Sequence, residues 1–179
     1  MKRWWLRLWS SLLLLLLAAT PVVAQPARIL LIRHGEKPES HDDPHLTAAG
    51  RERADRWVGY FTNAPTRTPD VLFASRPTKQ HPSVRPVETL EPLARALHLQ
   101  IGTPFASGDY ARLAEHLLAD PGLKGKTVVI CWVHQSLPQL AAALGIQPEP
   151  ATWKDDDYSG IYLITFEDGK AKLVATHPK

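Results

Sequence analysis

Two arginines and two histidines carry the chemistry this sequence offers. Arg33 and His34 stand in "LIRHGEK", where an apolar run turns abruptly polar. Arg85 opens "RPVETLEPLA", and His134 closes "VVICWVH". A histidine can act as a nucleophile toward phosphorus, and the phosphoramidate it forms is readily hydrolysed, so one hard transfer becomes two easier ones. The transferring group is nearly all charge, which makes positioning and electrostatic stabilisation the main work of catalysis. Planar guanidinium groups suit that work because each can donate two parallel hydrogen bonds to phosphate oxygens. A second histidine adds one more donor. Chemistry of this kind calls for no metal and no cofactor.

These residues need elements that bring them together. Arg28–Ile32 reads as a buried strand, and Thr127–Val133 as another. Between and around them lie amphipathic helices. One runs from Leu46–Thr47 to about Phe61 with Thr47 as N-cap. Others span Ser83–Leu97, Tyr110–Leu118 and Leu137–Leu144. A short strand is expected at Asp70–Ala74, and a terminal strand pair at Gly160–Phe166 and Ala171–Thr176 around Glu167-Asp168-Gly169-Lys170. Apolar strands alternating with helices imply an α/β domain, three layers deep, with a mostly parallel central sheet covered on both faces. Ligands of such sheets sit beyond the carboxyl ends of the strands. That rule alone puts His34 and His134 in one crevice although they are far apart in the chain.

Residues 1–24 stand apart from this domain. Basic residues (Lys2, Arg3, Arg7) precede the apolar run Leu12–Ala19, and Val22-Val23-Ala24 closes it, the pattern of a secretory signal peptide cut after Ala24. The apolar run is shorter than the ~18 residues of a spanning helix, and Thr20-Pro21 interrupts it, so no stable membrane anchor is expected after cleavage. A periplasmic or secreted domain at 25–179 follows. Three of the 21 Lys and Arg residues and none of the 18 Asp and Glu lie in the leader, so the domain is balanced in charge. The net charge of +3 therefore belongs to the leader and marks no nucleic-acid surface. The single cysteine, Cys131, sits in an apolar strand and reads as a buried, inert thiol.

With "LIRHGEK" at 31–37, "LTAAGRERA" at 46–54, "RPVETLEPLA" at 85–94 and "VVICWVHQSLPQLAAALG" ending the series, the chain resembles the histidine phosphatase superfamily. The resemblance implies a phosphoglycerate mutase-like fold, with His34 as the phosphorylated nucleophile and Arg33, Arg85 and His134 completing the phosphate pocket. Gly35, Glu36, Lys37, Ser75 and Lys79 are the expected substrate-binding residues. The sequence departs from the family at two places. Ser75 and Arg85 are separated by an insertion, "RPTKQHPSV", a candidate specificity loop through Lys79 and His81. His134 is followed by Gln135 where one branch has Asp, and no Glu motif marks the acid of the other branch. Asp109 is the first candidate for the acid that protonates the leaving group, with Glu36 and Asp155-Asp156-Asp157 behind it.

Plainer roles compete for the same residues. Arg85 could pair with Glu88 or Glu91 on its own helix. Asp109 follows Ser107-Gly108 and precedes a helix, a place for an N-cap. Asp155–Asp157 reads as a solvated turn. "GKT" at 125–127 leads into a strand instead of following one, which excludes a phosphate-binding P-loop. "HDDPH" at 41–45 contains Pro44, which excludes a helical metal face and leaves a polar loop at the crevice mouth. The resulting expectation is an exported phosphomonoesterase acting on a phosphorylated small molecule or an envelope phosphate ester. The alternatives are a phosphomutase and a non-catalytic binder of phosphate or phosphoglycans. Substrate identity and oligomeric state are not written in the sequence.

Overall fold

The computed structural model describes residues 25–40 and 42–178. The leader at 1–24 lies outside the described residues, and so does His41 of the "HDDPH" loop. Among the described residues no helix is long and apolar enough to cross a membrane.

The elements follow in the order β1 (Arg28–Arg33), α1 (Ala48–Thr62), β2 (Val71–Ala74), α2 (Arg85–Leu97), β3 (Ile101–Gly102), α3 (Tyr110–Ala119), β4 (Thr127–Trp132), α4 (Leu137–Ala143), β5 (Ile161–Glu167) and β6 (Lys170–Thr176). They build one six-stranded sheet in the order β3-β2-β4-β1-β5-β6. The first four strands of that order are mutually parallel, while β5 runs antiparallel to both β1 and β6.

β1 shows why its run is apolar throughout. Alternate residues of a strand face opposite sides of the sheet. Ile29 and Leu31 pack with α3 and α4 residues such as Leu113, Leu117 and Leu140. Leu30 and Ile32 pack with Trp57 and Phe61 of α1 and with Leu90 and Leu93 of α2. Both faces are covered, so every position between Arg28 and Arg33 is apolar. The same holds for β4, every residue of which is buried. Cys131 lies there fully buried, its thiol pushed up by burial, and it is free.

Thr47 caps α1 as expected, its hydroxyl accepting from the Gly50 N–H. The β5–β6 connection turns through Asp168 and Gly169, both at positive φ, the primed turn that suits a two-residue hairpin. Two features differ from the expectation. β3 is a strand of only two residues, too short to leave a periodic signal, and pairs with β2 through Leu72–Ile101 and Phe73–Gly102. A short 3₁₀ turn, His134–Ser136, stands between β4 and α4.

Candidate active site

β1 and β4 are neighbouring parallel strands, and Arg33 lies directly opposite Trp132. Both chains therefore leave the sheet at the same edge. The His34 N–H still donates to the Trp132 carbonyl at 3.3 Å, which holds the first residue beyond β1 against the end of β4. His134 follows two residues after Trp132, at the head of the 3₁₀ turn. α2 begins with Arg85 itself, brought alongside by the packing of α2 on the sheet. A cleft of about 540 Å³ opens here, lined by Arg33, His34, Lys37, His81, Arg85 and His134 together with smaller polar groups of the surrounding loops. A cavity of comparable volume, about 470 Å³, lies beside Trp153, Tyr162 and His177, but contains no comparable set of convergent cations. Chemistry, not size, separates them.

His34 is almost fully buried. Its Nδ1 lies 2.7 Å from the Gly35 carbonyl oxygen, which can only accept, so Nδ1 carries the proton and Nε2 keeps its lone pair. Burial lowers its pKa to about 3, with Arg33, Arg85 and His134 pushing the same way. The imidazole is neutral at any ordinary pH, the form a nucleophile requires.

Arg33 is 1% exposed. Its Nη1 donates to the carbonyls of Asp155 at 2.5 Å and Lys154 at 3.3 Å, with Asp157 at 3.4 Å. Its Nε and Nη2 have no partner among the described residues. Burial lowers its pKa, partly offset by Tyr158, Asp155 and Asp157. Arg85 donates from Nη1 to the Asp43 carbonyl at 2.7 Å, and its Nε is likewise unpartnered. It does not pair with its helix neighbours. Glu88 instead accepts from His45 and from the Leu46 N–H, and Glu91 faces Arg95. His134 is buried, with Nε2 2.7 Å from Asp155 Oδ1 and Nδ1 unpartnered among the described residues. Burial and Arg33 lower its pKa, while Asp155 opposes them.

Not every expected residue joins the cleft. Glu36 turns away to Arg53, whose Nε donates to Oε1 at 2.8 Å, and so ties the loop to α1. Ser75 is buried at the end of β2, with its N–H on the Cys131 carbonyl, and does not line the cleft. Lys79 is exposed on the insertion; its neighbours Gln80 and His81 line the cleft in its stead. Asp109 sits outside the lining too, its Oδ2 accepting from the Ala106 N–H at 3.0 Å and so bracing the loop before α3. Among the described residues no carboxylate lines the cleft, and no cluster of His, Cys, Asp and Glu could hold a metal ion.

Gly35 serves through its backbone: its carbonyl orients His34 and its N–H donates to Thr89 Oγ1. A Cβ there would meet the Gly50 carbonyl oxygen at 2.7 Å, and one on Gly50 would meet the Glu36 oxygen at 2.7 Å. The "RHG" and "LTAAG" segments thus touch through two glycines. Sequence reasoning also missed Tyr158, whose ring lies under the Arg33 guanidinium at 3.8 Å. "WKDDDY" carries no motif, so nothing in the spacing pointed to it.

No family model matches the chain, and no curated protein matches it in sequence. Solved structures do. The protein histidine phosphatase SixA, solved with tungstate, superposes with a TM-score of 0.61 at 17% identity, over 84% of this chain and 96% of that one. The chain has the histidine phosphatase fold. Other proteins with that fold include the phosphoserine phosphatase of Entamoeba histolytica (TM-score 0.57, 16% identity, 85% of this chain and 97% of that one). The alpha-ribazole phosphatase of Shigella flexneri shares it too (TM-score 0.55, 16% identity, 84% and 96%). Identities this low make the histidine phosphatase fold the finding, and the near-complete coverage shows that it extends over the whole domain.

Proposed function

We propose that this chain is a phosphomonoesterase working through a phosphohistidine on His34. The observation that carries the reading is the state of His34 itself. It is a neutral imidazole with Nδ1 tied to the Gly35 carbonyl, in a cleft where Nε and Nη2 of Arg33 and Nε of Arg85 have no partner among the described residues. Nε2 attacks the phosphorus, the P–Nε2 bond forms, and the ester P–O bond breaks, the leaving oxygen taking a proton from solvent. Water then attacks the phosphoramidate, the P–Nε2 bond breaks with its electron pair returning to Nε2, the water gives up a proton to solvent, and inorganic phosphate leaves. Arg33, Arg85 and His134 hold the phosphoryl oxygens throughout. The names of the proteins sharing the fold support a phosphorylated substrate. The leader pattern in residues 1–24 supports export to the periplasm or beyond, which N-terminal sequencing of the mature protein tests.

A non-catalytic phosphate binder is the second reading, favoured by the lack of any carboxylate among the described cleft-lining residues. The deciding experiment is hydrolysis of an aryl phosphate, whose leaving group barely needs a proton, by residues 25–179 beside His34→Ala. Labelled phosphoenzyme is trapped in both. Turnover with an acid-labile label that vanishes in the variant establishes the mechanism. A folded wild type that binds phosphate, shows no turnover and takes up no label sinks it and leaves the binder.

A further inference from the structure

A buried arginine in a phosphate site faces two demands. Its charge must be stabilised, yet a carboxylate on it would compete with the phosphate. Arg33 meets both without an ion pair among the described residues. Its Nη1 is surrounded by backbone carbonyls of Lys154, Asp155 and Asp157. Its guanidinium carbon lies over the Tyr158 ring, 3.8 Å from the ring centroid. Carbonyl dipoles and a π face stabilise a cation while leaving its net charge in place. What remains is the Nε–Nη2 edge, the side of the guanidinium that offers two parallel donors, and neither atom has a partner among the described residues.

We propose that Tyr158 is a positioning residue for Arg33: its ring fixes the plane of the guanidinium so that the Nε–Nη2 edge meets two phosphoryl oxygens. The loop that carries it is itself held. The Asp157 carboxylate accepts from the Gly160 N–H at 2.9 Å and the Ser159 N–H at 3.1 Å, and the Asp157 carbonyl accepts from Trp153 Nε1 at 2.9 Å. The carbonyls and the ring therefore act as one rigid cradle. The assignment rests on the phosphate-site reading above, and it concerns how tightly and in what orientation the anion is held.

Calorimetric titration with orthovanadate, alongside steady-state hydrolysis of an aryl phosphate, tests it. Tyr158→Phe keeps the ring and is expected to bind orthovanadate within about threefold of wild type, while Tyr158→Leu weakens binding by about tenfold and lowers kcat/KM at least as much. Leu binding as tightly as wild type overturns the proposal. So does a Phe variant that loses as much as Leu, because the hydroxyl would then be the working part. If the Leu variant does not fold, phenylalanine with successive fluorines at 158 keeps the shape and drains the π face. Stepwise loss of affinity supports the cradle, and constant affinity overturns it. A wild type that binds orthovanadate but forms no phosphoenzyme defeats the catalytic reading while the binding series still decides the role of Tyr158. A wild type that binds no orthovanadate overturns both.

Discussion

Nδ1 of His34 lies 2.7 Å from the carbonyl oxygen of Gly35, the next residue in the chain. One short contact chooses the tautomer and aims Nε2 away from the backbone, while burial, against the pull of that contact, commits the ring to its neutral state.

That commitment has a pH signature. The His34 pKa falls from 6.5 in the unfolded chain to about 3 in the fold. Between those values the unfolded state binds the extra proton and the folded state does not, so stability rises with pH. The contribution is complete above pH 6.5 and is lost as pH falls toward 3, by about 1.4 kcal/mol per pH unit at the steepest. Urea unfolding from pH 7 to pH 4 should show a steeper loss in wild type than in His34→Gln. Parallel slopes would mean that the ring is not buried neutral.

The contact of Gly35 with Gly50 sets two effects against each other. In a helix, Gly50→Ala alone should stabilise by about 1 kcal/mol. The new Cβ, however, would lie 2.7 Å from the Glu36 oxygen and 2.9 Å from the Glu36 nitrogen, both backbone atoms that cannot swing aside. The clash wins: a net loss of about 1–3 kcal/mol is expected. A fall in kcat of up to about a hundredfold should accompany it, as the turn holding His34 is displaced. Chemical denaturation and steady-state kinetics on the one variant check both.

Asp155 accepts from His134 at Nε2, so only the doubly protonated ring can also donate from Nδ1 to a bound anion. Asp155 raises the pKa of His134 against burial and Arg33. Asp155→Asn should lower it further and move the alkaline limb of the kcat/KM profile to lower pH. A limb that stays in place would assign it to another group.

Arg85 has its Nη1 on the Asp43 carbonyl and its Nε without a partner among the described residues. Lysine keeps the charge but has no fork, so Arg85→Lys should cut kcat/KM by about tenfold or more. Thermal melting should leave the fold intact, because the helix neighbours Glu88 and Glu91 are partnered elsewhere.

Much of this was legible in the chain. Continuous apolar strands between amphipathic helices are a periodic signal, and β1, β4 and the four helices follow from it closely. The convergence of His34 and His134 follows as well, because parallel neighbours end at one edge of a sheet. β3, with two residues, left no period to read.

The sequence by itself determined all the longer elements, the sheet edge and the groups that Arg33, His34, Arg85 and His134 offer there, because period and residue type are local properties. Only tertiary structure decided which polar residues face the cleft. Glu36 sits two residues from His34 yet turns to Arg53 on α1, and Asp109 spends its carboxylate on its own loop. Tyr158 and three carbonyls, more than 120 positions along the chain from Arg33, form its cradle. A side chain's direction is set by which partner lies within hydrogen-bond reach, and that distance exists only once the chain has folded.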